Sequence, residues 1–523
     1  MPRLPSYHTL RGIDFVAQRL VAAIVATERI IVVADYDADG ATACAVIVRG
    51  LSQLGASVGF VVPNRFEYGY GLTPEIVREA AAHGPRVIVT VDNGIASHDG
   101  VDAALARGID VVITDHHLPG PTLPATPWIV NPNQPDCAFP CKNLAGVGVA
   151  FYVLLAVRAM LRAQGRLRLP EPNFAALLDI VALGTVADVV RLDGVNRTLV
   201  AQGLRRIRAG RAHPGVQALF TAAGRDPVHA STYDLGFVAG PRLNAAGRLS
   251  DMSIGIRCLL AETMDDALPL AAELDRLNRE RREVEADMQE SALVELAAQA
   301  GNAIDAEQAC TVCVHRPEWH PGVVGIVASR LKDRFNRPCI VFARGSEGEL
   351  KGSGRSIAGL HLRDALDLVA KRAPGVVLRF GGHAFAAGVS IREDALSRFA
   401  ETFEGVAREA LTPAQLKRTL ETDGSLSPGE LDVDLAATLQ REVWGQVFPA
   451  PVFDDAFDVT AQRIVSERHS RVTLSRPGQR VEGILFDHTE PLPGRIHAAY
   501  RPERNEWNGT YALRLVIEHW QAA

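Results

Sequence analysis

The sequence predicts an α/β protein: a parallel-sheet domain, a long connecting helix, a second α/β domain and a small C-terminal β-barrel module. Three observations predict it. Short β-branched runs alternate with helical stretches through the first third of the chain. A long, charged, helix-periodic segment occupies Leu270–Ala298. Beyond Ala410 the pattern breaks into short alternating runs separated by Pro, Gly and Asn turns.

The first third carries IIVVA (Ile30–Ala34), VIVTV (Val87–Val91) and VVIT (Val111–Thr114), with helical patterns at Thr42–Leu54, Pro74–Ala82 and His98–Ala106. Such alternation builds βαβ units, and continuous apolar runs suit strands buried on both faces of a parallel sheet. Seven prolines between Pro119 and Pro140 predict an irregular segment that wraps the surface. Pro269 precedes the charged segment, so a helix either starts there or kinks there. Strand-like runs at Cys310–Val314 and Cys339–Phe342 open the second α/β domain. Runs at Arg471–Leu474, Val481–Phe486, Ile496–Tyr500 and Tyr511–Ile517 read as a small sandwich or barrel. The expected domain bounds are 1–262, 263–300, 301–410 and 411–523.

A length of 523 residues fits about three domains. Hydrophobic residues make up 47%, enough for sizeable cores. The apolar runs are read as far short of a membrane span, and MPRLPSYHTLRGIDF carries no secretion signal. Seven cysteines without a pairing framework point to reduced thiols and a cytoplasmic protein. A net charge of −6 removes bulk basicity as an argument for nucleic-acid binding, although a local basic stripe is compatible with it. Cys137 and Cys141 lack a second ligand pair, so zinc is not expected. GVGVA (Gly146–Ala150) lacks a dinucleotide-binding glycine pattern and reads as bland. No Gly-rich loop for ATP is present.

The chemistry gathers at the strand ends. DYDADG puts Asp35, Asp37 and Asp39 directly after the first run; Asp92 follows the second; Asp115-His116-His117 follow the third. Carboxylates crowded near a sheet end repel one another unless cations neutralise them, and oxygen-rich clusters suit Mg²⁺ or Mn²⁺. In an open parallel sheet the carboxyl ends of the strands share one edge, where ligands bind. Each motif alone is a turn or a surface feature; three at successive strand ends argue for one crevice. Asp188 ends the apolar stretch DIVALGTVADVV and can reach it, whereas Asp179, at its start, reads as a cap or an ion pair. Together these residues suit two divalent ions about 3.5–4 Å apart, and hence phosphoester hydrolysis.

DYDADG, VDNG, DHH and GTVAD, in this order, resemble the DHH phosphoesterase superfamily. PRLNAAGR, LNRERREVE, EWHPGVVGIVASRL, GSGRS and FGGHAFAAG are similar to the RecJ family of single-strand-specific DNA exonucleases within it. The terminal NEWNGTYALRLVIE is similar to that family's OB-fold. The resemblance spans nearly the whole chain. It implies a DHH catalytic domain, a DHH-associated substrate-binding domain, and 5′-to-3′ degradation of single-stranded DNA with Mn²⁺ or Mg²⁺ in recombination and repair. A single-strand-binding protein and a helicase are the partners it suggests, with a monomeric, membrane-free enzyme. By its motifs, Asp35, Asp37, Asp39, Asp92, His116 and Asp188 match metal-site positions, and His117 matches the position beside the scissile phosphate; Asp35, Asp92 and His117 are the catalytic candidates. Superfamily members differ in which carboxylates of the first motif touch metal, so the division among Asp35, Asp37 and Asp39 stays open.

In that setting Arg355, Ser356, Gly381, Gly382 and His383 offer the cation, hydroxyl and close backbone approach that a phosphate or terminal nucleotide needs. Arg242, Asn244 and Arg248 are expected as phosphate contacts, unless the arginines are ion-paired, with His320 a weaker candidate. Tyr500, Trp507 and Tyr511 are base-stacking candidates that compete with core packing. Two rival readings stand beside this one: a DHH enzyme acting on short oligonucleotides or other small phosphoesters, and a non-catalytic DNA-binding relative.

Overall fold

A computed structural model describes residues 4–62, 71–167, 169–300, 309–345, 348–427, 429–507 and 510–523, with the side chains of 297–300, 506, 507 and 510 outside the described set. The expected boundary at 301 and the Trp507 side chain lie outside the described residues. Two compact units emerge. One comprises Met1–Gly247, Asp251–Asp275 and Glu421–Ala523; the other comprises Arg248–Ser250 and Arg276–Leu420.

In the first unit, β1 (Arg29–Ala34), β2 (Ser57–Val61), β3 (Val87–Val91), β4 (Asp110–Thr114) and β5 (Ile129–Val130) form a parallel sheet in the order β2-β1-β3-β4-β5. From β1 the chain steps to β2 on one side and to β3 on the other, so the topological switch point lies between β1 and β3. The register is level at this edge: Ala34 pairs Val91, and Val91 pairs Thr114. Asp35, Asp92 and Asp115 are therefore the first residues past three adjacent strand ends. The apolar runs are fully buried apart from Arg29 and Asp110 at their starts, which is why they lack an alternating pattern.

The helix Ala38–Gln53 packs on this sheet through a face rich in Ala and Gly. Beside it runs the helix Gly146–Ala163. Contrary to the sequence reading, this second helix is long and apolar enough to cross a membrane; 67% of its residues are buried inside the protein, and it serves as a core helix. The proline-rich segment is irregular, but it does not only wrap the surface. It supplies β5 and buries Ile129, Val130, Asn131 and Gln134, because the far edge of β4 needs a partner for its backbone groups.

The helix Met264–Ala300 begins before Pro269 and carries that proline inside it. In the second unit, β6 (Val312–His315), β7 (Cys339–Arg344), β8 (Glu349–Arg355), β9 (Val377–Gly382) and β10 (Ala386–Arg392) run in the order β6-β7-β8-β10-β9, with only β6 and β7 parallel. Side chains alternate along β7. Cys339, Val341 and Ala343 pack with the helix Val324–Phe335, while Ile340 and Phe342 pack with Leu362–Arg372 and Leu396–Ala410.

The C-terminal segment closes into a barrel: β11 (Phe453–Val465), β12 (His469–Arg476), β13 (Gln479–Leu485), β14 (Arg495–Trp507) and β15 (Thr510–Ala522), in the order β11-β12-β13-β15-β14. Closure removes the open edges that a lone five-stranded sheet would leave. Tyr500, a stacking candidate, lies wholly inside this core, and its hydroxyl donates to Asp455 at 2.6 Å. Tyr511 is exposed, with the Arg504 guanidinium 4.3 Å from its ring centre.

Candidate active site

Level strand ends at the switch point bring the acidic residues together. Asp35 accepts a hydrogen bond from the Tyr36 N–H (2.8 Å). Asp37 caps the helix Ala38–Gln53 by accepting from the N–H groups of Asp39 (2.9 Å) and Gly40 (3.0 Å). Asp39 points across to the start of Gly146–Ala163, where its two oxygens accept from Gly146 N (2.6 Å) and Val147 N (2.8 Å). Its charge is thus set on a helix N-terminus, where the dipole favours an anion. Asp188 sits at the C-terminal end of the helix Leu178–Ala187.

His116 lies among them. Its Nε2 is 3.0 Å from Asp92 Oδ1, 3.6 Å from Asp188 Oδ2 and 3.9 Å from Asp39 Oδ2. Three overlapping groups have ligand atoms within 4.8 Å of one another: Asp39, His116 and Asp188; Asp35, Asp37 and Asp92; and Asp92, His116 and His117. Asp92 is common to two of them, so it can bridge neighbouring ions.

The electrostatics are those of a site built for cations. Burial, and then repulsion from the other carboxylates, pushes Asp35, Asp92 and Asp188 well above the ordinary carboxylate range; Asp39 is pushed up to about 7. Asp188 Oδ2 is buried with no hydrogen-bond donor among the described residues. Burying several carboxylates without compensation is costly, and divalent cations supply that compensation. Burial, and then the charge of His117, lowers His116 to about 4, which keeps its ring neutral as a metal ligand must be. The donor set of carboxylates with one neutral imidazole therefore fits Mn²⁺ or Mg²⁺.

Asp115 arranges the histidines. Its Oδ1 accepts from the backbone N–H groups of His116 (2.7 Å) and His117 (3.1 Å) and from His117 Nδ1 (2.8 Å), while Oδ2 accepts from Ile95 N (2.9 Å). Burial opposes a charge on His117, but the bond to Asp115 and that residue's charge outweigh it and raise the group to about 9. The Asn131 and Asn133 side-chain amides donate to the carbonyls of His117 (2.9 Å) and His116 (2.6 Å). Gly146 forms part of the wall: a Cβ there would lie 2.7 Å from Asp92 Oδ1, so only glycine lets the helix approach the site. The sequence reading placed Asp115 in a strand-end motif but gave it no role, passed over Asn131 and Asn133, and treated GVGVA as bland. Its readable signals were an acidic residue directly before two histidines and a Gly-Val-Gly opening a helix. Asp179, read as an ion-paired residue, is fully buried against His213 at 2.9 Å.

Several expected substrate contacts are engaged in the protein itself. Arg242, expected on phosphate, is ion-paired with Asp275 at 2.8 Å and donates to Val238 O. Asn244 accepts from Ala38 N (2.9 Å) and so steadies the turn that carries Asp37 and Asp39. Ser356 is buried and donates to Leu360 O (2.8 Å), so its hydroxyl is turned inward rather than offered to a phosphate.

In the second unit, Arg248 Nη1 donates to Gly322 O (3.1 Å) and His320 Nδ1 accepts from Gly322 N (3.1 Å), which draws these two residues to one turn. Arg355 ends β8, opposite Ala386 on β10. Gly381 and Gly382 end β9, and His383 N bonds Ala386 O (2.8 Å). Arg355, Gly381, Gly382 and His383 therefore share one end of the second sheet.

Three family models match the chain: the DHH family N-terminal domain over 29–185, the DHHA1 domain over 307–409 and the RecJ OB domain over 422–519. A relative from Dickeya dadantii, the single-stranded-DNA-specific exonuclease RecJ, is 50% identical over 99% of this chain and 91% of its own length. A crystal structure of RecJ from Thermus thermophilus in complex with Mn²⁺ has TM-score 0.83 and 31% identity, covering 100% of this chain and 73% of that one. The corresponding Mg²⁺ complex has TM-score 0.77 and 29% identity over 100% and 72%. With its three domains matched in order and half its residues shared with a full-length relative, the chain belongs to the RecJ family of DHH-domain proteins.

Proposed function

We propose that the chain is a metal-dependent exonuclease that hydrolyses phosphodiester bonds of single-stranded DNA, working 5′-to-3′ in recombination and repair with two Mn²⁺ or Mg²⁺ ions. The observation that carries this is the set of buried, mutually repelling carboxylates around His116 at a sheet's switch point, in a member of the RecJ family. Asp35, Asp37 and Asp92 would hold one ion and Asp39, His116 and Asp188 the other, with Asp92 close enough to His116 to serve both. Bound there, the ions supply a water acidified toward neutral pH and a clamp on the attacking and leaving oxygens. His117, kept cationic by Asp115, contacts the scissile phosphate. Arg248, His320, Arg355, Gly381, Gly382 and His383 bind the terminal nucleotide and its phosphate.

A groove of about 1910 Å³ in the first unit supports strand binding. It runs from Val186 and Val189, next to Asp188, to Arg501, Arg504, Tyr511 and Arg514 on the barrel. Tyr233 and Phe237, exposed and stacked with centroids 5.0 Å apart, line it as well. Arg504, set over the Tyr511 ring, and the exposed rings suit the backbone and bases of a single strand, while Arg501 and Arg514 are held by Glu518 and Glu503 in the same groove. A cytoplasmic monomer working beside a single-strand-binding protein and a helicase follows from the family resemblance, and the seven free thiols agree with that compartment.

Digestion of 5′- and 3′-labelled single strands, with and without Mn²⁺, tests the reading. Mononucleotide release from the 5′ end only with metal is expected. Faster turnover of dinucleotides or pyrophosphate than of long strands overturns it.

A further inference from the structure

Val189, the residue after Asp188, has φ +61°, a left-handed conformation that a β-branched residue holds only when its surroundings impose it. The following loop is pinned from two directions. Asn196, fully buried on the helix Gly194–Arg208, donates to Arg191 O (2.8 Å) and to Asn143 O (2.7 Å). One residue on, Leu192 N donates to Gln446 O at 3.0 Å.

Gln446 belongs to the strap that leads into the barrel. Gly445 and Phe448 close a tight turn with mutual backbone bonds of 2.9 and 3.0 Å. The rings of Trp444 and Phe448 stack at 5.3 Å with an interplanar angle of 10°, and the Arg197 guanidinium covers Phe448 at 3.8 Å. Trp444 Nε1 donates to Leu439 O (2.6 Å), which ties the stack to the helix Val433–Arg441. Leu192 is buried directly beneath: a Cβ on Gly445 would come 2.5 Å from its Cδ1, so any larger residue there makes the Leu192 side chain shift.

We infer that the Trp444–Phe448 strap is a positioning element for the metal centre, holding the 189–192 loop so that Asp188 meets His116 and Asp39. The barrel linker then sets the geometry of one metal position as well as anchoring a strand-binding module. Gly445, Trp444 and Phe448 touch no reacting atom and act through Leu192 and the backbone of the loop. The inference rests on the proposed two-metal reading. Gln446 acts through its backbone carbonyl alone, which makes its side chain an internal control.

Mn²⁺ titration calorimetry on the full chain tests it, using Gly445→Val, which pushes on Leu192, and Phe448→Ala, which loosens the strap without adding bulk. Both are expected to weaken one class of Mn²⁺ site roughly tenfold, as loss of an outer support typically does. The other class should change by less than about twofold, kcat should fall, and Gln446→Ala, whose side chain lines the strand groove, should bind Mn²⁺ as wild type does. Circular dichroism keeps the comparison to folded protein. Folded Gly445→Val and Phe448→Ala that both bind two ions with wild-type affinity overturn the inference, even if their melting temperatures are lower. Wild-type protein that binds no Mn²⁺ overturns the metal-site reading itself.

Discussion

The barrel and the edge of the parallel sheet each turn carboxylates inward, and they do so differently. Inside the barrel, Asp455 accepts from the Tyr500 hydroxyl at 2.6 Å and from Arg476 at 3.1 Å. At the edge of the parallel sheet, Asp35, Asp39, Asp92 and Asp188 crowd one another around a neutral imidazole, and Asp188 Oδ2 has no donor among the described residues. The first arrangement is complete within the protein and serves the fold. The second is complete only with added positive charge and serves chemistry. Buried charge by itself distinguishes neither; what marks a functional site is the missing compensation.

The difference is broken most sharply by Asp92→Ala. It is expected to reduce metal-dependent nucleotide release by at least about a thousandfold while strand binding, measured by gel shift, stays largely intact. Activity close to wild type contradicts the assignment. Asp455→Ala should do the reverse. Removing the acceptor that Tyr500 and Arg476 share, while Arg476 keeps Gln479 and the Leu426 carbonyl, costs about 1–3 kcal/mol by urea unfolding, with unchanged kcat in the folded fraction.

Asp115→Asn is an intermediate case. It weakens the charge that holds His117 cationic and removes an anchor of both histidines, so activity should fall roughly 10–100-fold. The alkaline limb of the pH–rate profile should move to lower pH; an unmoved limb dissociates His117 from catalysis.

The smallest effect is one of pH on metal-free protein. The sheet-edge carboxylates titrate higher folded than unfolded, Asp39 at about 7. Their favourable contribution is full below the unfolded value and is lost as pH rises through the folded one. Between pH 6.5 and 8 the last protons leaving His116 in the unfolded chain, where it titrates near 6.5, oppose this slightly, while His117, raised to about 9 in the fold, adds to it. Over that window the unfolding free energy in chelator should therefore fall by an amount on the order of 1 kcal/mol, lowering the melting temperature, and Mn²⁺ should reverse the fall. A flat profile sinks the idea of uncompensated charge.

The middle of the sheet was legible in the sequence because β1, β3 and β4 each announced themselves as an uninterrupted apolar run with acidic residues directly after it; β2 and β5 carried no such signal. Level register then did the rest: Ala34, Val91 and Thr114 end side by side, so Asp35, Asp92 and the Asp115–His116 pair had to converge. What was not legible depended on partners distant in sequence. Asn131 and Asn133 arrive from a proline-rich stretch that looks like surface loop until β5 pairs with β4. Gly146 means little until Asp92 is found 2.7 Å from its absent Cβ. Ser356 was misjudged, and Tyr500 was left between stacking and core packing, for a common reason. In half-buried strands and loops the alternation of side chains is clear, but which face is the core is decided by closure of the barrel or packing of the neighbouring hairpin.

The most direct test of the central claim is Mn²⁺ stoichiometry by calorimetry for wild type and Asp92→Asn. Because Asp92 is shared between the candidate ligand groups, wild type should bind two ions and the variant at most one, with its metal-free form melting higher as the repulsion is relieved. Asp92→Asn that binds both ions as wild type does would contradict a centre bridged by this carboxylate.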